Sequence, residues 1–217
     1  MTANNANIPY ATHWRLIENN GVTYFQFMWQ NHVALYSTKI GNKRFLERFK
    51  PLFLKQIHSD IIIDMDHKHA DSGDGLLSKN KNDRLGIKIA DCLPVYIFSG
   101  ESMCILHCGW RSIIKGITKR AAELFGNFNY ALGASIGPCC YEVQDDVVTL
   151  FNEKYNNVII QRDKKYFLDL KACVIEDLGT ENLIGSLALC TKCNPKYFFS
   201  HRRGDRKKRN YGVITKV

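Results

Sequence analysis

Apolar positions along the chain fall into short blocks, and their spacing predicts more strands than helices. Residues 22–29 and 32–38 are rich in aromatic and β-branched side chains, which predicts two strands in a hairpin closed near Gln30-Asn31. Residues 43–50 predict a short helix that Pro51 ends. Residues 53–58 and 61–65 read as strands, and Ala70-Asp71-Ser72-Gly73-Asp74-Gly75 as a turn cluster. Two nearly continuous apolar runs, 85–98 and 103–107, flank Ser99-Gly100-Glu101 and predict neighbouring buried strands on a tight turn. Ser112 is placed to cap a helix carrying Ile113, Ile117, Ala121, Leu124 and Phe125 at helical spacing, with Gly126 closing it. A strand over 130–136 follows, then helices over 143–155 and 170–178. Late strands are expected at 187–190, 197–200 and 211–215. The irregular alternation predicts an α+β fold with mixed sheets rather than a doubly wound parallel sheet.

Composition adds bounds to this picture. A chain of 217 residues with no repeat, low-complexity tract or Pro/Gly-rich linker is expected to be one domain spanning 1–217. Hydrophobic residues make up 45% and charged residues 24%, enough for an ordinary core. No apolar run approaches the roughly 20 residues of a membrane span. Met1-Thr2-Ala3-Asn4-Asn5 lacks the basic start and apolar stretch of an export signal, so a cytoplasmic location is expected. There the eight cysteines stay reduced, most of them as small core residues.

The net charge of +9 is concentrated in Arg202, Arg203, Arg206, Lys207, Lys208 and Arg209. Such a run reads first as a solvated surface, and second as a rim attracting an anionic substrate. No helix-turn-helix, zinc-finger or RNA-binding aromatic motif accompanies it, so nucleic acid is not the expected partner.

Three stretches carry candidate chemistry: Gln56-Ile57-His58, Ala90-Asp91-Cys92-Leu93-Pro94 and His107-Cys108-Gly109-Trp110-Arg111. If the runs holding Cys92 and His107 pair as a hairpin, these two side chains come close. Thiolate and imidazole suit Zn²⁺, with copper able to take the same ligands. Two His and one Cys leave a fourth position open, the pattern of a catalytic zinc site. Spacing alone leaves open a Cys92 packed in the core and histidines that are merely hydrogen-bonded.

These stretches, followed in order by Gly137-Pro138-Cys139-Cys140-Tyr141-Glu142-Val143, Leu168-Asp169-Leu170, Cys190-Thr191 and Phe199-Ser200-His201-Arg202-Arg203, strongly resemble the YfiH family, also called laccase-domain or multicopper polyphenol-oxidase-like proteins. The resemblance runs from about Phe53 onward. It implies His58, Cys92 and His107 as metal ligands, and central mixed β-sheets, sandwich-like, flanked by helices. It further implies a purine nucleoside phosphorylase acting on adenosine, inosine or methylthioadenosine with phosphate, accompanied by adenosine deaminase activity. Arg111, at a helix start, offers charge to phosphate. Asp91 is a candidate general base or orienting group, and Trp110 a candidate base-stacking surface. Both charged residues also admit structural roles, Arg111 in an ion pair and Asp91 in a turn. A laccase needs many clustered histidines, and this chain has seven, of which only His67 and His69 are close neighbours. Near the N-terminus the chain departs from the family. Phe27-Met28-Trp29-Gln30-Asn31-His32 stands where a Thr-Arg motif and a glycine-rich stretch are expected.

Two rival readings use the same residues differently. In one, Cys92 is a nucleophile activated by His107, giving an amide hydrolase, which fits the family's link to trimming cell-wall precursors. In the other, the basic segment binds nucleic acid or an acidic partner without catalysis. Cys190-Thr191-Lys192-Cys193 reads as a lone Cys-x-x-Cys with no second pair to complete a four-cysteine zinc site, and Cys139-Cys140 as part of a strand-to-helix turn.

Overall fold

The computed structural model describes residues 14–217, so the stretch 1–5 weighed above as an export signal lies outside it. In chain order the first elements are β1 (Arg15–Asn19), β2 (Val22–Trp29), β3 (His32–Ser37), α1 (Asn42–Phe49), β4 (Leu52–Phe53), β5 (Ile62–Asp64) and β6 (Gly75–Ser78). Next come β7 (Arg84–Ile89), β8 (Leu93–Ser99), β9 (Ser102–Cys108), α2 (Trp110–Lys115), α3 (Ile117–Phe125) and β10 (Asn129–Leu132). The remainder holds β11 (Glu142–Val143), α4 (Asp145–Asn152), β12 (Ile159–Arg162), β13 (Lys165–Leu168), α5 (Leu170–Leu178), β14 (Leu183–Ser186) and β15 (Asn210–Lys216).

Two six-stranded sheets, ordered β1-β2-β3-β15-β7-β4 and β14-β10-β8-β9-β6-β5, stack face to face; β11-β13-β12 forms a small third sheet. Period-two alternation sorts the side chains of the central strands. Tyr96 and Phe98 of β8 and Met103 and Ile105 of β9 face Phe27, Tyr36, Ile87 and Ile214 of the first sheet. Leu93, Val95 and Ile97, with Cys104 and Leu106, face the helices, packing on Ile113, Ile117, Phe151 and Val174. On the outer side of the first sheet, α1 inserts Phe45 among Val22, Tyr24 and Val213. The α+β expectation of mixed, sandwich-like sheets flanked by helices is met. Burial of β8 and β9 on both faces explains why these strands read as nearly continuous apolar stretches. Among the described residues no helix is long and apolar enough to cross a membrane.

The hairpin over β2 and β3, α1 and α5 stand where the pattern puts them. Asp169 caps α5 by accepting from Lys171 and Ala172 N–H at 2.9 and 3.2 Å. Other expectations need correction. The run 85–98 is two strands in different sheets, split where Asp91 takes φ 85°. The strand expected over 53–58 stops at Phe53. The helix expected from Ser112 begins at Trp110 behind Gly109, and Gly116 at φ 98° divides it. Ser112 does not cap; its hydroxyl is buried without a partner. The strand over 130–136 ends at Leu132, and the helix over 143–155 is confined to Asp145–Asn152. Residues 187–190 and 197–200 are not strands.

Candidate active site

The break between β7 and β8 creates the site. Asp91 holds it open: its carboxylate accepts from Thr191 Oγ1 at 2.6 Å and from Arg202 N–H at 2.8 Å. Its carbonyl accepts Ile136 N–H at 2.9 Å. Three distant segments therefore converge on this residue, and Cys92 follows it, half-buried. His107 sits opposite, since the β8–β9 register pairs it with Pro94. The hairpin anticipated from the sequence thus brings Cys92 and His107 together.

His58 arrives from a loop that is not a strand but is tied like one. The Gln56 side chain pairs with the backbone of Lys88 on β7, donating Nε2–H to its carbonyl at 2.9 Å and accepting its N–H at 2.7 Å. His58 itself adopts φ 57°, and its carbonyl accepts from Lys115 Nζ at 2.9 Å. The rings of His58 and His107 lie 5.0 Å apart at 68°. Ligand atoms of His58, Cys92 and His107 all fall within 4.8 Å of one another, a span one metal ion can bridge.

Sequence reading missed Asp74, the residue that organises the site. It is fully buried, and its Oδ2 accepts from Ile57 N–H (3.1 Å), Ser59 N–H (2.6 Å) and Ser59 Oγ (2.9 Å), fixing the loop that carries His58. Its Oδ1 accepts from His107 Nδ1 at 2.9 Å, leaving His107 Nε2 to face the site. Carboxylate–histidine pairs of this kind orient metal-bound imidazoles. The only signal in the sequence was an Asp within a turn cluster, which reads as polar punctuation.

The electrostatics are those of a thiolate–imidazolium pair. Burial would push the Cys92 thiol up, but the positive His107, with hydrogen bonds from both histidines, outweighs it and brings the thiol down to about 6. Burial would lower His107, but the Cys92 thiolate and the Asp74 carboxylate together raise it to about 9. Asp74 is held well below the usual carboxylate range because hydrogen bonds from His107 and Ser59 overcome its burial. Gly109 completes the cradle. A Cβ there would stand 3.0 Å from Cys92 Sγ and 3.3 Å from His58 Cδ2. Soft thiolate, two imidazoles, a carboxylate orienting one of them, and a glycine that leaves room form a donor set that fits zinc or copper.

Above these residues opens a cleft of about 660 Å³, within the range of small-molecule sites. Lys88, Arg111, His201, Arg202 and Arg209 line it, with Trp110 and Tyr141 as aromatic walls. The Arg111 guanidinium lies over the Trp110 ring at 4.3 Å. The basic segment is therefore not simply a solvated face. Arg202 and Arg209 line the cleft, and Arg203 turns inward to donate to the Thr191 and Lys192 carbonyls at 2.9 and 3.0 Å. Residues 27–32 form a hairpin that does not line the cleft. His67 and His69 are exposed, on a loop outside the lining.

Fold and site define an α+β protein built on two large stacked sheets, with a His–Cys–His constellation at the base of a cationic cleft. Residues 30–217 match the family described as multi-copper polyphenol oxidoreductase laccase, and the chain belongs to that family. A purine nucleoside phosphorylase of Clostridium acetobutylicum is 34% identical over 167 residues, covering 70% of each chain. One of Aquifex aeolicus is 31% identical over 82% of this chain and 90% of its own. An adenosine deaminase from an unknown prokaryote is 26% identical over 65% of this chain and 62% of its own. Among solved structures, the hypothetical protein YfiH of Bacillus licheniformis superposes with a TM-score of 0.80 at 22% identity, covering 93% of this chain and 99% of that one. YlmD of Geobacillus stearothermophilus superposes at 0.79 and 20%, covering 94% and 99%.

Proposed function

We propose that the chain is a metal-dependent purine nucleoside phosphorylase that also deaminates adenosine. The observation that carries this reading is the placement of His58, Cys92 and His107 at the floor of a cleft lined by Arg111, Arg202 and Arg209. The names borne by relatives supply the substrate class. The three residues would hold zinc, which when bound supplies Lewis acidity to polarise a substrate atom. The remaining work falls to the chain's own groups. Arg111 and Arg202 pair with the phosphate dianion and orient one of its oxygens toward C1′ of the ribose. The new C1′–O bond forms as the N-glycosidic bond breaks, and the purine departs with the bonding electrons and takes up a proton. Trp110 and Tyr141 offer flat surfaces for the base. In deamination water adds at C6 and the C6–N bond breaks, releasing ammonia and leaving a C6 carbonyl, with the base in the same place.

Asp91 acts here as a positioning residue, since both carboxylate oxygens are already engaged by Thr191 and Arg202. It holds Cys92 in place and aligns the segment that brings Arg202 to the cleft.

One further reading has specific support. Without metal, Cys92, His107 and Asp74 form a thiolate–imidazolium–carboxylate chain, the geometry of a cysteine hydrolase. Metal content decides between the two, because a thiolate committed to zinc is no free nucleophile. The test measures zinc in the purified protein and its Cys92→Ala and His107→Ala variants, assaying adenosine and inosine with phosphate on the same samples. Loss of one zinc per chain together with turnover in both variants supports the phosphorylase. Turnover by protein with no metal at His58, Cys92 and His107 overturns it in favour of a Cys92 nucleophile.

A further inference from the structure

A second cluster of metal-binding side chains lies outside the cleft. Cys139 and Cys140, on the turn after Ile136, meet Cys190 and Cys193, about 50 residues later in the chain. The Cys-x-x-Cys that looked solitary in the sequence has a second pair after all. Sulfur–sulfur distances are 3.7 Å for Cys139–Cys193 and 3.3 Å for Cys140–Cys193, and all four sulfurs lie within 4.8 Å of one another. A zinc ion with Zn–S bonds of about 2.3 Å spaces its tetrahedral sulfurs by roughly 3.8 Å. One ion therefore fits the cluster, whereas an iron–sulfur cluster with two irons would hold its cysteine pairs further apart.

We infer that Cys139, Cys140, Cys190 and Cys193 form a four-thiolate structural zinc site, independent of His58, Cys92 and His107. The surroundings prepare it. Ser135 and Cys190 form an isolated parallel bridge that aligns the two turns. The Gly137 N–H donates to Cys190 Sγ at 3.3 Å, a bond that favours thiolate over thiol. Each turn is also closed on itself, Cys140 N–H donating to the Gly137 carbonyl at 2.9 Å and Asn194 N–H to the Cys190 carbonyl at 3.1 Å. With two exposed and two half-buried thiols, the cluster is open to metal entry from solvent.

The site staples one wall of the cleft. Tyr141, next to Cys140, lines the cleft, and Thr191, next to Cys190, holds the Asp91 carboxylate. Closing a link between segments about 50 residues apart removes freedom from the unfolded chain, so the ion stabilises the fold as well as the wall.

The experiment counts zinc in the unaltered protein and in Cys139→Ser, Cys193→Ser and His107→Ala variants, with zinc X-ray absorption to identify the ligands. About two zinc ions per chain are expected. His107→Ala retains one, surrounded by sulfur alone. Cys139→Ser and Cys193→Ser each lose that one and keep the other in a mixed nitrogen and sulfur shell. Equal zinc in the unaltered protein and both serine variants overturns the proposal, as does iron in place of zinc at the four thiolates. A Cys140–Cys193 disulfide, seen as two hydrogens missing from the intact mass of protein purified under argon, also overturns it. Zinc lost only in the serine variants upholds this site and refutes the one at His107, so the two readings fail separately.

Discussion

Replacing Asp74 by Asn removes one charge while keeping the side chain's shape, and the hydrogen bonds around it dictate the outcome. In the native arrangement Oδ2 accepts Ile57 and Ser59 N–H at 3.1 and 2.6 Å, and Oδ1 accepts His107 Nδ1–H at 2.9 Å. An amide has one oxygen, so it cannot accept on both sides. With the oxygen toward the two backbone donors, the amide NH₂ faces His107 Nδ1, which must then accept. That moves the ring proton to Nε2, the nitrogen that the proposed metal would need. With the amide reversed, His107 keeps its metal-ready tautomer but the buried Ser59 N–H loses its acceptor at about 1–3 kcal/mol, and the part-buried Ile57 N–H and the Ser59 hydroxyl lose theirs for about 1–3 kcal/mol more between them. The metal-bound form must therefore sit about 2–6 kcal/mol above the preferred orientation. At 1.4 kcal/mol per decade, even the lower figure weakens metal binding about 30-fold. Competition against a chromophoric chelator measures this, with thermal unfolding of the metal-free variant confirming that it folds. A folded Asp74→Asn protein that binds zinc within about threefold of the unaltered chain would refute the tautomer reasoning.

Gly109→Ala meets no backbone strain, since φ is −83°, but its Cβ would stand 3.0 Å from Cys92 Sγ. Metal affinity should fall about 10–100-fold by the same competition assay, with little change in folded-state circular dichroism. Metal uptake should strengthen with pH, because the ligands must be unprotonated. Below about 6, Cys92 and His107 each lose a proton on binding; between about 6 and 9 only His107 does; above about 9 neither does. Calorimetry in buffers of different ionisation enthalpy reads these proton counts, and an affinity unchanged from pH 6 to 9 contradicts the assignment. Arg111→Ala should raise the KM for phosphate by about 10-fold or more while zinc content holds, since a charge-assisted bond contributes about 1.5–3 kcal/mol. Asp169→Ala removes the cap of α5 and should cost about 1 kcal/mol in urea unfolding.

How far the sequence could be read depended on whether a feature was local. The cap at Asp169 and the apolar face behind it lie within ten residues, and α5 begins and ends where that pattern puts it. The split at Asp91 left no such mark. β8 is buried on both faces and β7 is exposed only at Arg84 and Lys88, so the two read as one nearly continuous apolar run, and the positive φ that separates them falls on an aspartate rather than a glycine. The β12–β13 hairpin escaped notice for a related reason. Asp163 and Lys164 both adopt positive φ, the conformation of a tight hairpin turn, without the Asn-Gly pair that usually advertises it. That signal was present at Asn20-Gly21, between β1 and β2, and went unread. In the site, motif order singled out His58, Cys92 and His107, and the anticipated hairpin brings two of them together. Asp74 could not be chosen over Asp71 in the same turn, because its burial comes from strands on either side of it. The four cysteines could not be joined because their meeting depends on the Ser135–Cys190 bridge.

The position of β15 bears on how the molecule must be assembled. Latest in sequence among the described strands, it lies in the interior of its sheet, pairing with β3 on one side and β7 on the other. Until it is inserted, β3 and β7 each present a bare edge of unpaired N–H and C=O groups, the kind of surface that recruits other chains. A growing polypeptide on the ribosome would carry both edges from the time β7 emerges until β15 follows, about 120 residues later. Removing Asn210–Lys216 would not trim a tail but cut the sheet in two, and such a truncation is expected to aggregate rather than yield a smaller folded protein.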